Sequence, residues 1–369
     1  MFMEFPAYII GGWFMNRFGM KKVLVFSGAI YGLGILFSGL VTNVILFIII
    51  QGAIATLAMF GVFIATLALI NVLYPNSKGT VMGLLYGSQA VGASAMAPLA
   101  TYFINVYSVG TALVLQGAAF TIIMVICCLI VVDPTKGDRK LQAKIQEEAE
   151  AEEAAEAIAG KAEDAIPSMR WTKALRHPAF WFIFISIICI QMIGNALVSD
   201  GVVIAESVYD ISSGQSSWFA TAFGIGAGIG GLVIGFISDK LGPYRTTFWL
   251  GIIDGVLLLA LAAVGLNSYM IFFVICVIQG FTYNGMTTLN PIMLTDSYSP
   301  KDIGTTMGFM GISYFVVGVI GPQLGLVVPF VPFMLICAAL SIIGGFVNSF
   351  AKHSLNKYYE SVDSKCVVR

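Results

Sequence analysis

Gln51, Tyr86, Gln89, Gln191, Asn195, Gln279, Tyr283, Asn284 and Tyr314 each interrupt a long run of apolar residues, and Asp200 and Asp254 place a carboxyl group in the same setting. In hydrocarbon a polar side chain left without a partner is costly. Amides and phenols can donate hydrogen bonds to anionic oxygens without adding a full charge, and an intramembrane carboxyl group can exchange a proton. Each of them, like Thr56, can equally bond across to a neighbouring helix, so both readings stand for every residue. The chemistry on offer is recognition and proton exchange. No catalytic set competes with it, because His177 and His353, the only two histidines, sit at the borders of apolar runs. No Gly-x4-Gly-Lys-(Ser/Thr) loop is present to hold ATP. Five of the six cysteines lie inside apolar runs without metal-ligand spacing, so no metal, no cofactor and no disulfide framework is expected. Gly226-Ala227-Gly228-Ile229-Gly230-Gly231 fits G-x-G-x-x-G, but with no preceding strand or acidic partner it reads as a face for close helix packing.

Positioning such groups takes membrane helices. The chain is 58% apolar and 11% charged, which puts it in the membrane class. The pattern predicts complete spans at 23–41, 44–73, 79–106, 109–132, 180–203, 216–237, 246–265, 269–295, 304–327 and 329–350. Residues 5–15 are apolar but fall short of the ~20 residues needed to cross ~30 Å of hydrocarbon. They lack the basic start and cleavage site of a signal peptide, and read as the last part of a helix whose beginning is missing. A charged linker over 133–178 holds ten of the twenty acidic residues. Its stretch 147–157 is almost pure Glu and Ala with no apolar stripe, which suits a solvated helix or a disordered segment. Trp171-Thr172-Lys173-Ala174-Leu175 suits a short amphipathic piece at headgroup depth.

Every Lys and Arg falls on one side of this layout: at 17–22, 78, 136–176, 240–245, 301 and from 352 onward. By the positive-inside rule those loops and the tail over 351–369 are cytoplasmic in a cell membrane. The cations are scattered over separate loops, so no nucleic-acid partner is expected.

The chain also repeats itself. Gly12-x3-Asn16-Arg17-x-Gly19 with Lys21 and Lys22 returns as Gly235-x3-Asp239-Lys240-x-Gly242 with Arg245. Gly79-Thr80-Val81-Met82-Gly83 returns as Gly304-Thr305-Thr306-Met307-Gly308, and Ala97-Pro98-Leu99 more loosely as Gly321-Pro322-Gln323. Nearly one offset relates all three pairs, which implies parallel repeats about an axis along the bilayer normal. Glycines spaced by four (Gly79, Gly83, Gly87; Gly304, Gly308; Gly224, Gly228 and 231–235) predict close helix contacts. The expected fold is an all-α membrane protein: a duplicated 6+6 helix transporter bundle lacking the first helix and part of the second. Its parts are an incomplete N-terminal bundle over 1–132, the linker, a six-helix bundle over 179–350, and the tail.

With these features the chain resembles the major facilitator superfamily of secondary transporters. Within it, Tyr74-Pro75-Asn76-Ser77-Lys78-Gly79-Thr80-Val81-Met82-Gly83, the downstream Ala97-Pro98-Leu99 and Pro178-Ala179-Phe180-Trp181 are similar to the oxalate/formate antiporter and monocarboxylate-porter group. The resemblance implies alternating access around a midplane cavity lined by the first, second, fourth and fifth helices of each half. On those helices it implies substrate contacts from the amides and phenols named above. It gives the repeated hairpins (Gly12, Asn16, Arg17, Gly19; Gly235, Asp239, Lys240, Gly242, Arg245) the role of a conformational switch, with Asp239 anchoring its loop to neighbouring helix ends and cations. Asp200, near the outer end of a cavity helix, is a candidate for gating or coupling. Asp254 is a candidate for proton coupling or for a structural role, and Asp296, ending its helix, for a structural one. One departure bears on substrate. Where oxalate carriers of the group have an Arg and a Lys, this chain has Gly231 and Val317, and no Lys or Arg remains within a complete span. A doubly charged anion would then lie unpaired, whereas a monocarboxylate, a zwitterion or a neutral solute would cost less. The expected partners are therefore a small carboxylate, protons and the bilayer. The competing expectations are a non-transporting sensor on the same scaffold, or an inactive truncated product.

Overall fold

The computed structural model describes residues 3–74, 77–131, 169, 171–211, 213–264, 268–298 and 303–362. Most of the expected linker, and the tail beyond 362, lie outside the described residues. The first half comprises α1 (Glu4–Phe18), α2 (Met20–Leu40), α3 (Val44–Phe47), a π-helical segment (Ile48–Ala55) continuing into α4 (Thr56–Leu73), α5 (Lys78–Val106) and α6 (Val109–Ile130). After the short α7 (Trp171–Ala174), the second half comprises α8 (Pro178–Tyr209), α9 (Ser213–Leu241), α10 (Pro243–Val264), α11 (Tyr269–Ser297), α12 (Ile303–Val327) and α13 (Phe330–Val362). Nine helices among the described residues are long and apolar enough to cross a membrane. The 29-residue α5 matches them in length.

Local chemistry sets the helix ends. Asn43 Oδ1 accepts from the amides of Ile45 and Leu46 and starts α3, and Ser108 caps α6. His177 Nδ1 accepts from Ala179 N at 3.3 Å and Pro178 opens α8, a position that lacks an intrahelical donor anyway. The repeated hairpins turn at Gly19 (φ 88°) and Gly242 (φ 82°), the positive-φ glycines among the described residues. A side chain at either position would strain the turn, which explains why glycine stands there in both copies.

The helices outlast the expected spans where burial continues. The apolar run of the last span ends near Phe350, but α13 extends to Val362. Ala351, Leu355 and Tyr359, spaced by four on one face, are fully buried. Tyr359 donates to Ser297 O at 2.6 Å, while Tyr244 and Ser297 share a 2.6 Å hydroxyl contact, tying α13, α11 and α10 together at the basic end. The segment beginning at Trp171 also packs inward, with its indole stacked on Phe309 at 6.2 Å between centroids.

The two halves meet along two seams: α5 lies against α9, and α1 against α12. The first seam is backbone on backbone. A methyl group added at Gly83 would collide with Gly231 O, one at Gly79 with Gly235 O, and one at Gly87 would come within 2.7 Å of Gly228 O. In the second seam Gly12 rests on Gly304, where an added methyl would stand 2.8 Å from its Cα. Glycines at these positions let helices approach where lipid gives no hydrophobic reason to do so. Outside the seams the bundle presents large apolar side chains such as Phe26, Phe37, Trp249 and Phe350, a surface suited to acyl chains.

Candidate functional site

Phenols drawn from both halves gather around Tyr86. Tyr86 on α5 is buried, and Tyr8 on α1, Tyr283 on α11 and Tyr314 on α12 lie close enough to interact electrostatically with its hydroxyl group. Phe60 and Phe63 on α4 wall the cluster, with Phe60 4.5 Å from the Tyr8 ring and Phe63 5.8 Å from the Tyr86 ring, centroid to centroid. Tyr283 fits because Gly194 on α8 has no side chain, and any Cβ there would run into the Tyr283 ring.

One face of α11 continues the site. Tyr283, Thr287 and Asn290 follow each other at i, i+4 and i+7. Asn290 Nδ2 donates to the Tyr314 hydroxyl at 2.6 Å, leaving its own Oδ1 buried without a partner. Gln191 on α8 donates from Nε2 to Thr287 Oγ1 at 3.0 Å, and Thr287 in turn donates to Tyr283 O at 3.0 Å. With its only proton committed, Thr287 can act toward Gln191 only as an acceptor, which fixes the orientation of the Gln191 amide. Gln191 Oε1 is then a buried acceptor with no partner.

The expected site residues divide accordingly. Tyr86, Gln191, Tyr283 and Tyr314 come together. Asn195 is one turn from Gln191 and donates to its carbonyl at 3.2 Å. Asn284 faces away and donates to Ala227 O at 2.8 Å, so it serves the α9–α11 contact. Gln51 lies in the π-helical segment, where its Oε1 is 3.3 Å from the Ser38 hydroxyl on α2, and Thr56 donates to its carbonyl at 3.2 Å. Gln89 is exposed on α5. Asp200 is half-buried, with a buried Oδ2 that has no partner. Asp254 and Gln279 stand together among α10, α11 and α13, apart from the phenols. Sequence reasoning missed Tyr8, Thr287 and Asn290. Tyr8 was legible through the repeat: it stands four residues before Gly12, as Gly231 stands four before Gly235. Gly231 itself is wedged between α5 and the Asn284 amide, and Val317 is fully buried.

At the basic end the second half holds the first. Asp239, at the end of α9, accepts from Gly79 N at 2.7 Å through Oδ1, and from Thr80 N at 2.8 Å and Thr80 Oγ1 at 2.6 Å through Oδ2. A carboxylate thus caps the positive end of α5 from across the interface. Beside it Lys78 Nζ pairs with Asp296 Oδ1 at 3.0 Å, again joining the halves. The hairpin cations rest on aromatic faces: Lys240 Nζ is 4.2 Å from the centre of Phe236, and the Arg17 guanidinium 5.3 Å from that of Trp13.

Two helical halves, a buried polar centre between them and a closed latch at one end define a multi-pass membrane transporter. Known proteins agree. A family profile matches residues 1–210 and 190–356, and the chain belongs to the Major Facilitator Superfamily, whose members are transporters and not enzymes. It is 24% identical over 325 residues to the oxalate:formate antiporter of Oxalobacter formigenes, covering 85% of this chain and 70% of that one. It is 21% identical over 305 residues to the uncharacterized transporter YhjX of Escherichia coli strain K12, covering 83% and 71%. Its fold is similar to that of the E. coli fucose:proton symporter FucP (N162A), at 15% identity and TM-score 0.65 over 95% of this chain and 88% of that one. The proton:xylose symporter XylE bound to 6-bromo-6-deoxy-D-glucose is also similar, at 10% identity and TM-score 0.68 over 93% and 83%.

Proposed function

We propose that this chain is a secondary transporter that moves a small monocarboxylate by rocking its halves around the phenol cluster. The observation that carries this reading is that Tyr8, Tyr283 and Tyr314, drawn from both halves, lie within electrostatic reach of the buried Tyr86. Phenols donate strong hydrogen bonds to carboxylate oxygens yet bring no charge, so they can balance one negative charge better than two. The kinship with an oxalate:formate antiporter supports a carboxylate, while Gly231 and Val317 in place of cations favour a singly charged one. The Asp239 and Lys78–Asp296 contacts close the basic end, which by its cations we take as cytoplasmic in the plasma membrane. Counterflow in proteoliposomes tests the reading. Formate or lactate should exchange and oxalate should exchange poorly; robust oxalate exchange, or no exchange of any monocarboxylate by folded protein, would refute it.

A further inference from the structure

Asp254 sits at the middle of α10, 2% exposed, away from the phenols and unused by the mechanism above. Thr282 on α11 donates to its Oδ1 at 2.7 Å, and Ser341 on α13 donates to its Oδ2. Gln279, one turn before Tyr283 on α11, brings its amide close to the same carboxylate. Its Oε1 and Nε2 are both without a partner although the residue is fully buried. Thr282 and Ser341 are buried to the same degree. Cys337 is the other titratable group facing the carboxylate. The Lys, Arg and His residues described on these three helices, Arg245, Lys352, His353 and Lys357, gather at the basic end. Arg245 is nine residues away along α10, roughly 13 Å at the helical rise.

As a carboxylate, Asp254 would lie buried beside two hydroxyl groups and no cation, and an ionised group in this setting needs a counter-charge. We propose that Asp254, Thr282, Ser341 and Gln279 form a buried site for a monovalent cation of the sodium class. The ligands on offer are all oxygen: two from Asp254, one each from Thr282 and Ser341, and Gln279 Oε1 once its amide turns over, the hard ligands that alkali and alkaline-earth ions prefer. One carboxylate neutralises one charge, and a divalent ion would leave an excess positive charge in an apolar bundle. The Thr282 hydroxyl can adapt to an ion. Thr282 has a second acceptor, Gln279 O at 3.0 Å, to which its proton can turn while its lone pairs face inward. A bound ion would clamp α10 and α13 to α11, the helix that also carries Tyr283, Thr287 and Asn290.

The test is thermal unfolding of the full chain in detergent, with NaCl replacing choline chloride at constant ionic strength and several pH values. The midpoint should rise saturably with Na⁺ and remain unmoved by choline. Asp254→Asn should abolish the response, and Ser341→Ala and Gln279→Leu should each weaken the apparent affinity about tenfold or more, the loss of one ligand to a charged group. If Asp254→Asn does not fold, the other two substitutions decide. A wild-type Na⁺ response in both overturns the site. So does a midpoint that ignores Na⁺, including one that moves with pH alone, which would assign a proton to Asp254. No substrate enters this measurement, so its failure leaves the transport reading standing.

Discussion

Replacing Asp239 by Ala should shift the protein away from the state closed at its basic end. The carboxylate accepts three hydrogen bonds from Gly79 and Thr80 across the interface. Bonds to a charged acceptor contribute about 1.5–3 kcal/mol each when shielded. Asp239 is exposed, so water competes for it, and the loss of a helix cap, about 0.5–2 kcal/mol, is the better guide. We therefore expect a cost of ~1–2 kcal/mol to the closed state, which changes the ratio of closed to open forms roughly 5–30-fold. Asp239→Asn keeps an acceptor and loses the charge, so it should fall between the two. Spin labels at Lys22 and Arg245, exposed positions on opposite halves at that end, would report the change as a longer-distance population in the variant. An unchanged distance distribution in folded Asp239→Ala protein would refute the idea that this cap holds the halves together.

Three further outcomes follow from the same contacts. Tyr86→Phe conserves volume and removes one donor, so apparent substrate affinity in counterflow should fall roughly tenfold, about 1.5 kcal/mol, with little change in thermal stability; unaltered affinity would remove Tyr86 from the site. Gly83→Ala drives a methyl group into Gly231 O and should destabilise the folded protein by about 1–3 kcal/mol, read as a lower thermal midpoint, whereas the same change at Gly92, which faces open space, should be close to neutral. Burial lowers the pKa of His177, and its neutral Nδ1 caps α8. The sign follows: the unfolded chain protonates first, so the cap's contribution is present above the ordinary value near 6.5 and fades as pH falls through and below it. Because His177 is partly exposed the increment should be under about 1 kcal/mol, and His177→Asn, which also caps, should flatten this part of the stability profile between pH 7 and 5.

Much of the fold was written in local patterns. The repeated Gly19 and Gly242 turns, the glycines spaced by four and the apolar runs all concern neighbours in sequence, and all reappear as turns, seams and spans. The apolar span ends at 350, before Lys352, His353 and Lys357, while the helix itself continues to Val362 because Ala351, Leu355 and Tyr359 form a buried stripe at helical spacing. The site was legible only in part. Hydropathy marks which polar residues are at depth but not which way they face around the helix axis. Tyr86 and Asn284 therefore looked alike, and one joins the phenols while the other serves a helix contact. Tyr8 lies in the short apolar run over 5–15, where a phenol stands out less than an amide or a carboxyl group would. The pair Lys78–Asp296 joins residues 218 positions apart, a relation that no window of sequence contains.

The seam between α5 and α9 has a consequence for how movement is possible at all. An interface of interlocking side chains resists sliding, because each small displacement strands some group between its rotamer wells. Gly79, Gly83 and Gly87 lie on Gly235, Gly231 and Gly228 with peptide planes as the touching surface. Beside the backbone contacts only a few side chains, such as Val91 on Gly228 and Leu232 on Gly87, would have to reset, and a small rotation exchanges one weak backbone contact for another of similar strength. A seam of this kind would act as a bearing, keeping the halves at one separation while opposing their tilt less than interlocked side chains do. The resistance to motion is then concentrated in the few polar ties at the end, where a ligand or a single substitution can set it.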